Sequence, residues 1–386
     1  MNHFTNFAES AAYVNSLQTV ESAFVVQRLA ERPDYSIKFG NAEPDFPTPE
    51  HVVNAAVDAI KQGYTHYTSP KGIEELRIAI ADYYSERQLL TDKDDIVIFP
   101  GSKFGLFSAL YLLIDRNSEV IIQDPIYSAY SSIVKMLQGK TVTVPMVDDY
   151  DSDSIVESMA FKINQKTKAI IVNSPGHPTG AILRRRYLET LLELCNKRNI
   201  FLIIDTNNSS FCYIDESECF PHSDLRTDNL VIVSGFSKDF AMTGWRLGYT
   251  LAPKQFTDYL VSVQENSSAC PASFVQKAAI AALTGSRDWQ RRLVHEYQSR
   301  RDVMIREISK ISGWTCHPPD GAFCCFPRIN NVNSRAFSRA LLEEKYVSTV
   351  PGSQFGESGE GHLRLAFTTP IPKIREGMGR IREFAN

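Results

Sequence analysis

The fold is decided by the stretch Leu230-Val231-Ile232-Val233-Ser234-Gly235-Phe236-Ser237-Lys238, an apolar run that ends in a turn and a lysine. A continuous apolar run of this length predicts a strand that is buried on both faces. Similar runs lie at 95–99, 119–123, 141–145, 169–173, 201–205 and 247–251, with helix-like stretches between them such as 105–114, 186–197 and 256–265. The sequence therefore predicts an α/β fold with a mostly parallel central sheet covered by helices.

The two ends of the chain follow a different pattern. A long charged amphipathic segment at 288–311 leads into strand-like runs and helices at 322–326, 334–344, 362–367 and 372–384. This order predicts a smaller α+β domain. We expect residues 1–45 to pack with the small domain, residues 46–287 to form the large domain and residues 288–386 to form the small C-terminal domain.

Composition excludes several classes of function. The 386 residues are 43% apolar with a net charge of −4 and both signs interspersed, so nucleic acid is not an expected partner. We find neither a membrane-spanning stretch nor a secretory signal, and we expect a cytoplasmic protein. The seven cysteines include no C-x-x-C pair, which argues against a metal site and a disulfide framework. Cys324 and Cys325 lie in an apolar run and are expected to be packing residues.

Polar residues of chemical interest follow the predicted strands. A lysine at the carboxyl edge of a sheet, such as Lys238, loses its proton when it is desolvated and can then attack a carbonyl. Arg246 follows eight residues later and could clamp a phosphate. Asp205 ends another apolar run, where a buried carboxylate needs a cationic partner such as a protonated pyridine nitrogen.

Two loops add to this set. The segment 173–180 is a rigid turn rich in proline and glycine, and it follows the strand-like run 169–173. Gly101, Ser102 and Lys103 lie between a strand and a helix, where backbone N–H groups form an anion site. Each loop alone is an ordinary connection between a strand and a helix. The order of the loops along the chain, together with Lys238, Arg246 and Asp205, is more specific.

In this order the segments resemble the class I/II aminotransferases, which are pyridoxal-phosphate (PLP) enzymes of the aspartate aminotransferase fold type, fold type I. The resemblance runs from Ala42-Glu43-Pro44-Asp45-Phe46 through 67–72 to 363–367, and 238–249 is its most specific part. It implies a homodimer with shared active sites, PLP as cofactor and an α-amino acid as substrate.

The resemblance also implies roles for individual residues. Lys238 is the catalytic residue, which carries PLP as a Schiff base and moves the proton at the substrate Cα. Arg364 binds the substrate carboxylate, and His177 also faces the substrate. The implied cofactor contacts are Gly101, Ser102, Lys103, Tyr127, His177, Asp205, Asn208, Ser237, Arg246 and, from the neighbouring subunit, Tyr67.

Two positions depart from the family pattern. His177 stands where the family usually has asparagine, and Asn208 stands where it usually has tyrosine. Both family residues bond the phenolic oxygen O3′ of the cofactor. The substitutions leave open an exchange of hydrogen-bond donors, loss of activity, or altered chemistry in which a titratable histidine acts as general acid or base.

Transamination is the leading functional hypothesis. The alternative is a lyase or cyclase that eliminates or replaces a β- or γ-substituent of an activated, for example hydroxylated, amino acid in specialised metabolism. A regulator built on this fold is disfavoured because no helix-turn-helix segment precedes residue 40. A dehydrogenase is disfavoured because no G-x-G-x-x-G follows the first strand.

Overall fold

The structure is a computed structural model, and it describes residues 22–146, 152–215, 218, 223–224, 228–329 and 332–385. Cys219 and residues 1–21 of the predicted N-terminal segment lie outside the described residues. The described strands are β1 Ile37–Lys38, β2 Leu89–Leu90, β3 Ile96–Phe99, β4 Glu119–Asp124, β5 Lys140–Pro145, β6 Thr167–Asn173, β7 Phe201–Asp205, β8 Ser223–Asp224, β9 Leu230–Gly235, β10 Gly248–Leu251, β11 Cys324–Cys325, β12 Val347–Ser348, β13 Val350–Pro351 and β14 Leu363–Ala366.

Helices connect these strands. The described α-helices are α1 Ser22–Glu31, α2 Glu50–Lys61, α3 Glu74–Ser85, α4 Ser102–Leu113, α5 Ala129–Met136, α6 Ser152–Lys162, α7 Arg185–Arg198, α8 Lys254–Ser268, α9 Ser273–Thr284, α10 Asp288–Ile308, α11 Ser334–Lys345 and α12 Ile371–Ala385. None of the described helices combines the length and the apolar character that crossing a membrane would need.

The central sheet has seven strands in the order β3-β10-β9-β7-β6-β4-β5. Its neighbours pair in parallel except at β10, which is antiparallel to both β3 and β9. All seven runs that the sequence predicted as strands enter this sheet, with ends that differ by at most two residues. The predicted α/β fold with a mostly parallel sheet is confirmed.

The sheet is apolar on both faces because alternate residues of each strand enter different cores. In β7, Leu202 and Ile204 pack in one cluster with α2, α3, α7 and α9, while Ile203 packs in the other with α4, α5 and α8. Successive side chains of a strand point to opposite faces. A strand buried on both faces therefore needs the continuous apolar run seen in the sequence.

A separate apolar cluster joins the two ends of the chain. Ile37 and Phe39 pack there with side chains of α10, β14 and α12. β1 also pairs in parallel with β12, with Ile37 opposite Val347. The described part of the N-terminal segment thus packs with the C-terminal elements, while the exact division into domains stays a prediction.

An ion pair fixes the segment that follows β1. Arg300 of α10 donates to both carboxylate oxygens of Asp45, at 2.8 and 2.9 Å, and the Tyr297 hydroxyl donates to the same carboxylate at 2.9 Å. The Arg300 side chain is almost fully buried. A bidentate bond of this kind holds orientation as well as position, so residues 40–45 are held against α10.

A tight turn before α3 gives a test of the packing. Gly72 has φ +98°, and a Cβ atom there would overlap the side chain of Ile98 in β3. Gly63 has φ +84°, and a Cβ atom there would have no neighbouring atom within 4 Å. We expect Gly63→Ala to lower the free energy of unfolding by about 1 kcal/mol and Gly72→Ala by about 3 kcal/mol, because strain and overpacking add. Urea denaturation of both variants measures the difference, and equal losses would contradict the packing described.

Candidate active site

The polar residues of interest meet at one edge of the sheet because parallel strands end together there. Asn173 and Asp205 end β6 and β7 and are direct partners in the register. Lys238 follows β9, and Ser237 before it accepts a backbone hydrogen bond from Met242 at 3.0 Å. Since β10 runs in the opposite direction, its first residue Gly248 also lies at this edge.

Lys238 is held as a desolvated amine. Its Nζ donates to the carbonyl oxygen of Ala42 at 2.6 Å and lies 5.6 Å from the centre of the Phe323 ring. Burial lowers the pKa of Lys238 to about 8; Glu43 opposes this shift, while Arg364 adds to it. An amine with this pKa is largely available as a nucleophile in mildly alkaline solution.

Asp205 is a buried carboxylate with both oxygens engaged. Tyr130 donates its hydroxyl to Oδ2 at 2.7 Å. Asn207 donates to Oδ1 through its backbone N–H at 3.0 Å and its side-chain amide at 2.8 Å. Burial raises the pKa of Asp205, and these hydrogen bonds oppose the rise because they favour the charged form.

Arg246 lies against the start of α4, at Gly101 and Ser102. Gly101 has φ +97° at the start of α4, and a Cβ there would lie 2.5 Å from a guanidinium nitrogen of Arg246. Arg246 itself has φ +55° and donates to the Thr243 carbonyl at 2.7 Å. The guanidinium therefore lies against the backbone at a helix N-terminus, an arrangement that suits a phosphate.

Aromatic rings line the next part of the site. The Tyr127 ring lies edge-on to the His177 ring, with centres 5.7 Å apart, and Lys103 Nζ lies 5.4 Å from the centre of Tyr127. Phe355 also packs edge-on against His177, with ring centres 5.4 Å apart. His177 is thereby desolvated, and burial together with Arg364 and Lys238 holds its pKa well below the usual range.

The two positions that depart from the family pattern lie in neighbouring turns, His177 after β6 and Asn208 after β7. The backbone N–H of His177 donates to Asn173 Oδ1 at 2.7 Å. Asn208 is buried, and its amide donates to the Pro175 carbonyl at 3.4 Å. Cys324, buried as expected, is more than a packing residue, since its thiol lies 3.9 Å from His177 Nδ1 and 3.2 Å from the Pro178 carbonyl oxygen.

Arg364 is a buried cation that is only partly satisfied. It is 4% exposed, and it donates to the Gly40 carbonyl at 2.6 Å. Its Nε has no hydrogen-bond partner among the described residues. Burial lowers the pKa of Arg364, and a buried guanidinium that has no carboxylate partner among the described residues can accept an anion.

The predicted residues fall into two groups. Lys238, Arg364, His177 and Tyr127 are joined by the contacts and charge interactions described above. Arg246 joins them because its charge adds to the lowering of the Lys238 pKa, and Asp205 joins them through Asn173, whose amide donates to its carbonyl oxygen at 3.0 Å. Tyr67 stands apart, with 89% of its surface exposed. Within the described residues, no cluster of three or more His, Cys, Asp or Glu side chains could hold a metal ion.

Several residues of the site were missed from the sequence. Tyr130 and Asn207 hold Asp205, and Phe355 packs against both His177 and Arg364, whose guanidinium lies 5.9 Å from the centre of the Phe355 ring. Tyr130 could have been found, because it lies three residues after Tyr127 where a helix begins. Phe355 could not, because it is about 180 residues from His177 in sequence.

Comparisons with known proteins identify the family. The family model described as aminotransferase class I and II matches residues 35–381. An aspartate aminotransferase of Sulfurisphaera tokodaii is 36% identical, covering 94% of each chain. An aromatic-amino-acid aminotransferase 2 of Thermococcus litoralis is 33% identical, covering 92% of this chain and 93% of that protein. The crystal structure of an aspartate aminotransferase from Thermotoga maritima has a TM-score of 0.87 at 32% identity, covering 96% of this chain and 98% of that chain.

Fold and site thus define an enzyme of the PLP-dependent aminotransferase type. The chain belongs to the class I and II aminotransferases. These relatives carry aminotransferase names, and they do not favour elimination or cyclisation as the alternative function.

The desolvation of Lys238 has a measurable consequence. In the cofactor-free protein, we expect acetylation of Lys238 to rise with pH around a midpoint near 8, because only the unprotonated amine reacts and its pKa is about 8. Mass spectrometry of the Lys238 peptide after short exposure to acetic anhydride gives this profile. In urea the midpoint should move up towards about 10.4, the ordinary value for lysine. An unchanged midpoint on denaturation would contradict the desolvated environment.

Proposed function

We propose that the protein transfers the amino group of an α-amino acid to a 2-oxo acid, using PLP held by Lys238. The observation that carries this proposal is the pairing of a desolvated amine, Lys238, with a buried guanidinium, Arg364, whose Nε has no partner among the described residues. The amine is suited to a carbonyl and the guanidinium to a carboxylate.

The residues present fit PLP. Arg246 and the start of α4 suit its phosphate, the Asp205 carboxylate suits its ring nitrogen, and the Tyr127 ring suits stacking. PLP supplies an aldehyde for amines and a ring that accepts the electrons of the Cα–H bond. Asn208 and His177 are the proposed partners of O3′, and Ser102, Lys103 and Ser237 complete the surroundings.

The chain's own groups divide the remaining work. Arg364 fixes the substrate by its carboxylate, so the Cα–H bond is presented to Lys238. Lys238 takes the proton from Cα and returns one, and its lowered pKa keeps the amine able to do so. Asp205 holds a proton on the ring nitrogen, since a buried carboxylate favours a cationic partner.

His177 is proposed to contact cofactor and substrate as a neutral imidazole. Burial, Arg364 and Lys238 all oppose its protonation, so His177 does not act as a cationic acid towards a leaving group at neutral pH.

Transamination is tested directly with purified protein, PLP, 2-oxoglutarate and a panel of α-amino acids. We expect new glutamate and an equal amount of the oxo acid of the donor. Amines without an α-carboxylate are the matched control donors and should react at least about 100-fold more slowly, because Arg364 has nothing to bind. Lys238→Ala should abolish turnover. Elimination products or ammonia in place of glutamate would overturn the proposal.

We also propose a homodimer in which Tyr67 contacts the phosphate in the partner's site. Its high exposure in the single chain supports this arrangement. The predicted domain division and cytoplasmic location stay predictions.

Shared sites give a complementation test. Lys238→Ala and Tyr67→Ala proteins are each expected to have low activity, and refolding an equal mixture should restore about a quarter of wild-type activity. Half of the dimers are then hybrids, and each hybrid holds one intact site. Mixing Lys238→Ala with wild type is the control. No recovery in the first mixture would show that Tyr67 serves its own chain or neither.

A further inference from the structure

We propose that Tyr130 is a positioning residue for this reaction: its hydroxyl holds the Asp205 carboxylate ionised and correctly oriented for the ring nitrogen of the cofactor. The proposal rests on the proposed function, because it concerns the group that Asp205 would meet. It adds a residue that is not among those proposed to meet the substrate, Lys238 and Arg364.

The contact is short and exclusive. Tyr130 is the second residue of α5 and is 1% exposed, and its hydroxyl lies 2.7 Å from Asp205 Oδ2. Among the described residues, Asn207 provides the donors to Oδ1 and Tyr130 provides the donor to Oδ2. Loss of the Tyr130 hydroxyl would therefore leave one oxygen of a buried carboxylate without a donor from the chain.

Tyr130 is the donor and Asp205 the acceptor in this hydrogen bond. Burial, Asp205 and Tyr127 together raise the pKa of Tyr130 well above its ordinary value, so the phenol stays protonated and donates. Burial raises the pKa of Asp205, and the bonds from Asn207 and Tyr130 oppose that rise. Removing the hydroxyl should therefore make Asp205 easier to protonate, and a protonated Asp205 no longer attracts a pyridinium.

Tyr130 also contacts the ring proposed to stack on the cofactor. The Tyr130 and Tyr127 rings meet edge to face, with centres 5.7 Å apart and planes at 89°. One buried side chain thus touches both Asp205, which would meet the ring nitrogen of the cofactor, and Tyr127, which would stack on its ring. Its ring is also part of an apolar core, so the hydroxyl must be tested separately from the packing.

Tyr130→Phe removes the hydroxyl and keeps the ring. The matched control is Tyr84→Phe, because Tyr84 is equally buried but its hydroxyl lies 3.4 Å from the hydroxyls of Thr206 and Tyr249. Titration of the cofactor-free proteins with PLP, followed by tryptophan fluorescence, measures the dissociation constant. A hydrogen bond to a charged group predicts roughly 10- to 100-fold weaker PLP binding for Tyr130→Phe. Tyr84→Phe should stay within about threefold of wild type.

The pH dependence separates a charge effect from a packing effect. PLP affinity should fall as acid protonates Asp205, and the midpoint of that fall should lie at higher pH in Tyr130→Phe than in wild type or Tyr84→Phe. Tyr130 and Asn207 are the described groups that act directly on Asp205, and Asn207 does not titrate. In transamination, Tyr130→Phe should lower kcat with KM for the amino donor unchanged, because the donor carboxylate binds at Arg364.

A double-mutant cycle completes the test. In an Asp205→Asn background, Tyr130→Phe should change PLP affinity by no more than about threefold, because the charge it supports is gone. If Tyr130→Phe weakens PLP binding equally in the wild-type and the Asp205→Asn backgrounds, the role of Tyr130 is overturned. A Tyr130→Phe protein with the same PLP affinity and pH midpoint as Tyr84→Phe would overturn it as well. Either result would leave the proposed function intact. Failure of the wild-type protein to bind PLP would instead overturn the proposed function and this proposal together.

Discussion

A buried carboxylate at the end of β7 sets the arrangement of this edge of the sheet. Asp205 is 7% exposed, so its charge must be stabilised by donors from the chain and by a cation. Its backbone carbonyl also accepts from Ser174 N–H and from the Asn173 amide. Asn173 in turn accepts from the backbone of His177. The turn that carries His177 is therefore held in place by hydrogen bonds that lead through Asn173 to the backbone of Asp205.

A second constraint comes from the N-terminal segment. Carbonyl oxygens of Gly40 and Ala42 accept from Arg364 and Lys238, the two cations proposed to meet the substrate. The segment can hold these cations because the Asp45–Arg300 pair anchors it to α10. A substrate carboxylate would compete with the neutral Gly40 carbonyl for the Arg364 guanidinium. The carboxylate is the stronger acceptor, because hydrogen bonds between charged groups are stronger than those to a neutral oxygen. The segment thus keeps both cations ordered without neutralising them.

Much of the sheet and of the chemistry could be predicted from the sequence. Runs such as 201–205 are apolar up to a polar last residue, a pattern that predicts strands covered on both faces with their polar ends at one edge of the sheet. What the sequence could not show were contacts set by tertiary packing. The edge-on pairing of His177 with Phe355 and the Cys324 thiol beside His177 join segments that are more than 140 residues apart. No local pattern encodes such contacts, because they depend on how the two ends of the chain pack against the sheet.

The histidine at position 177 shows why residue type alone is a weak guide to chemistry. In water an imidazole titrates near neutral pH, which suggested general acid or base catalysis. Here two aromatic rings pack against it, and burial together with Arg364 and Lys238 disfavours its charged form. A neutral imidazole offers one donor and one acceptor, which is close to what an asparagine offers at the same place. A neutral His177 is therefore consistent with the aminotransferase names of the relatives and gives no support to a change of reaction.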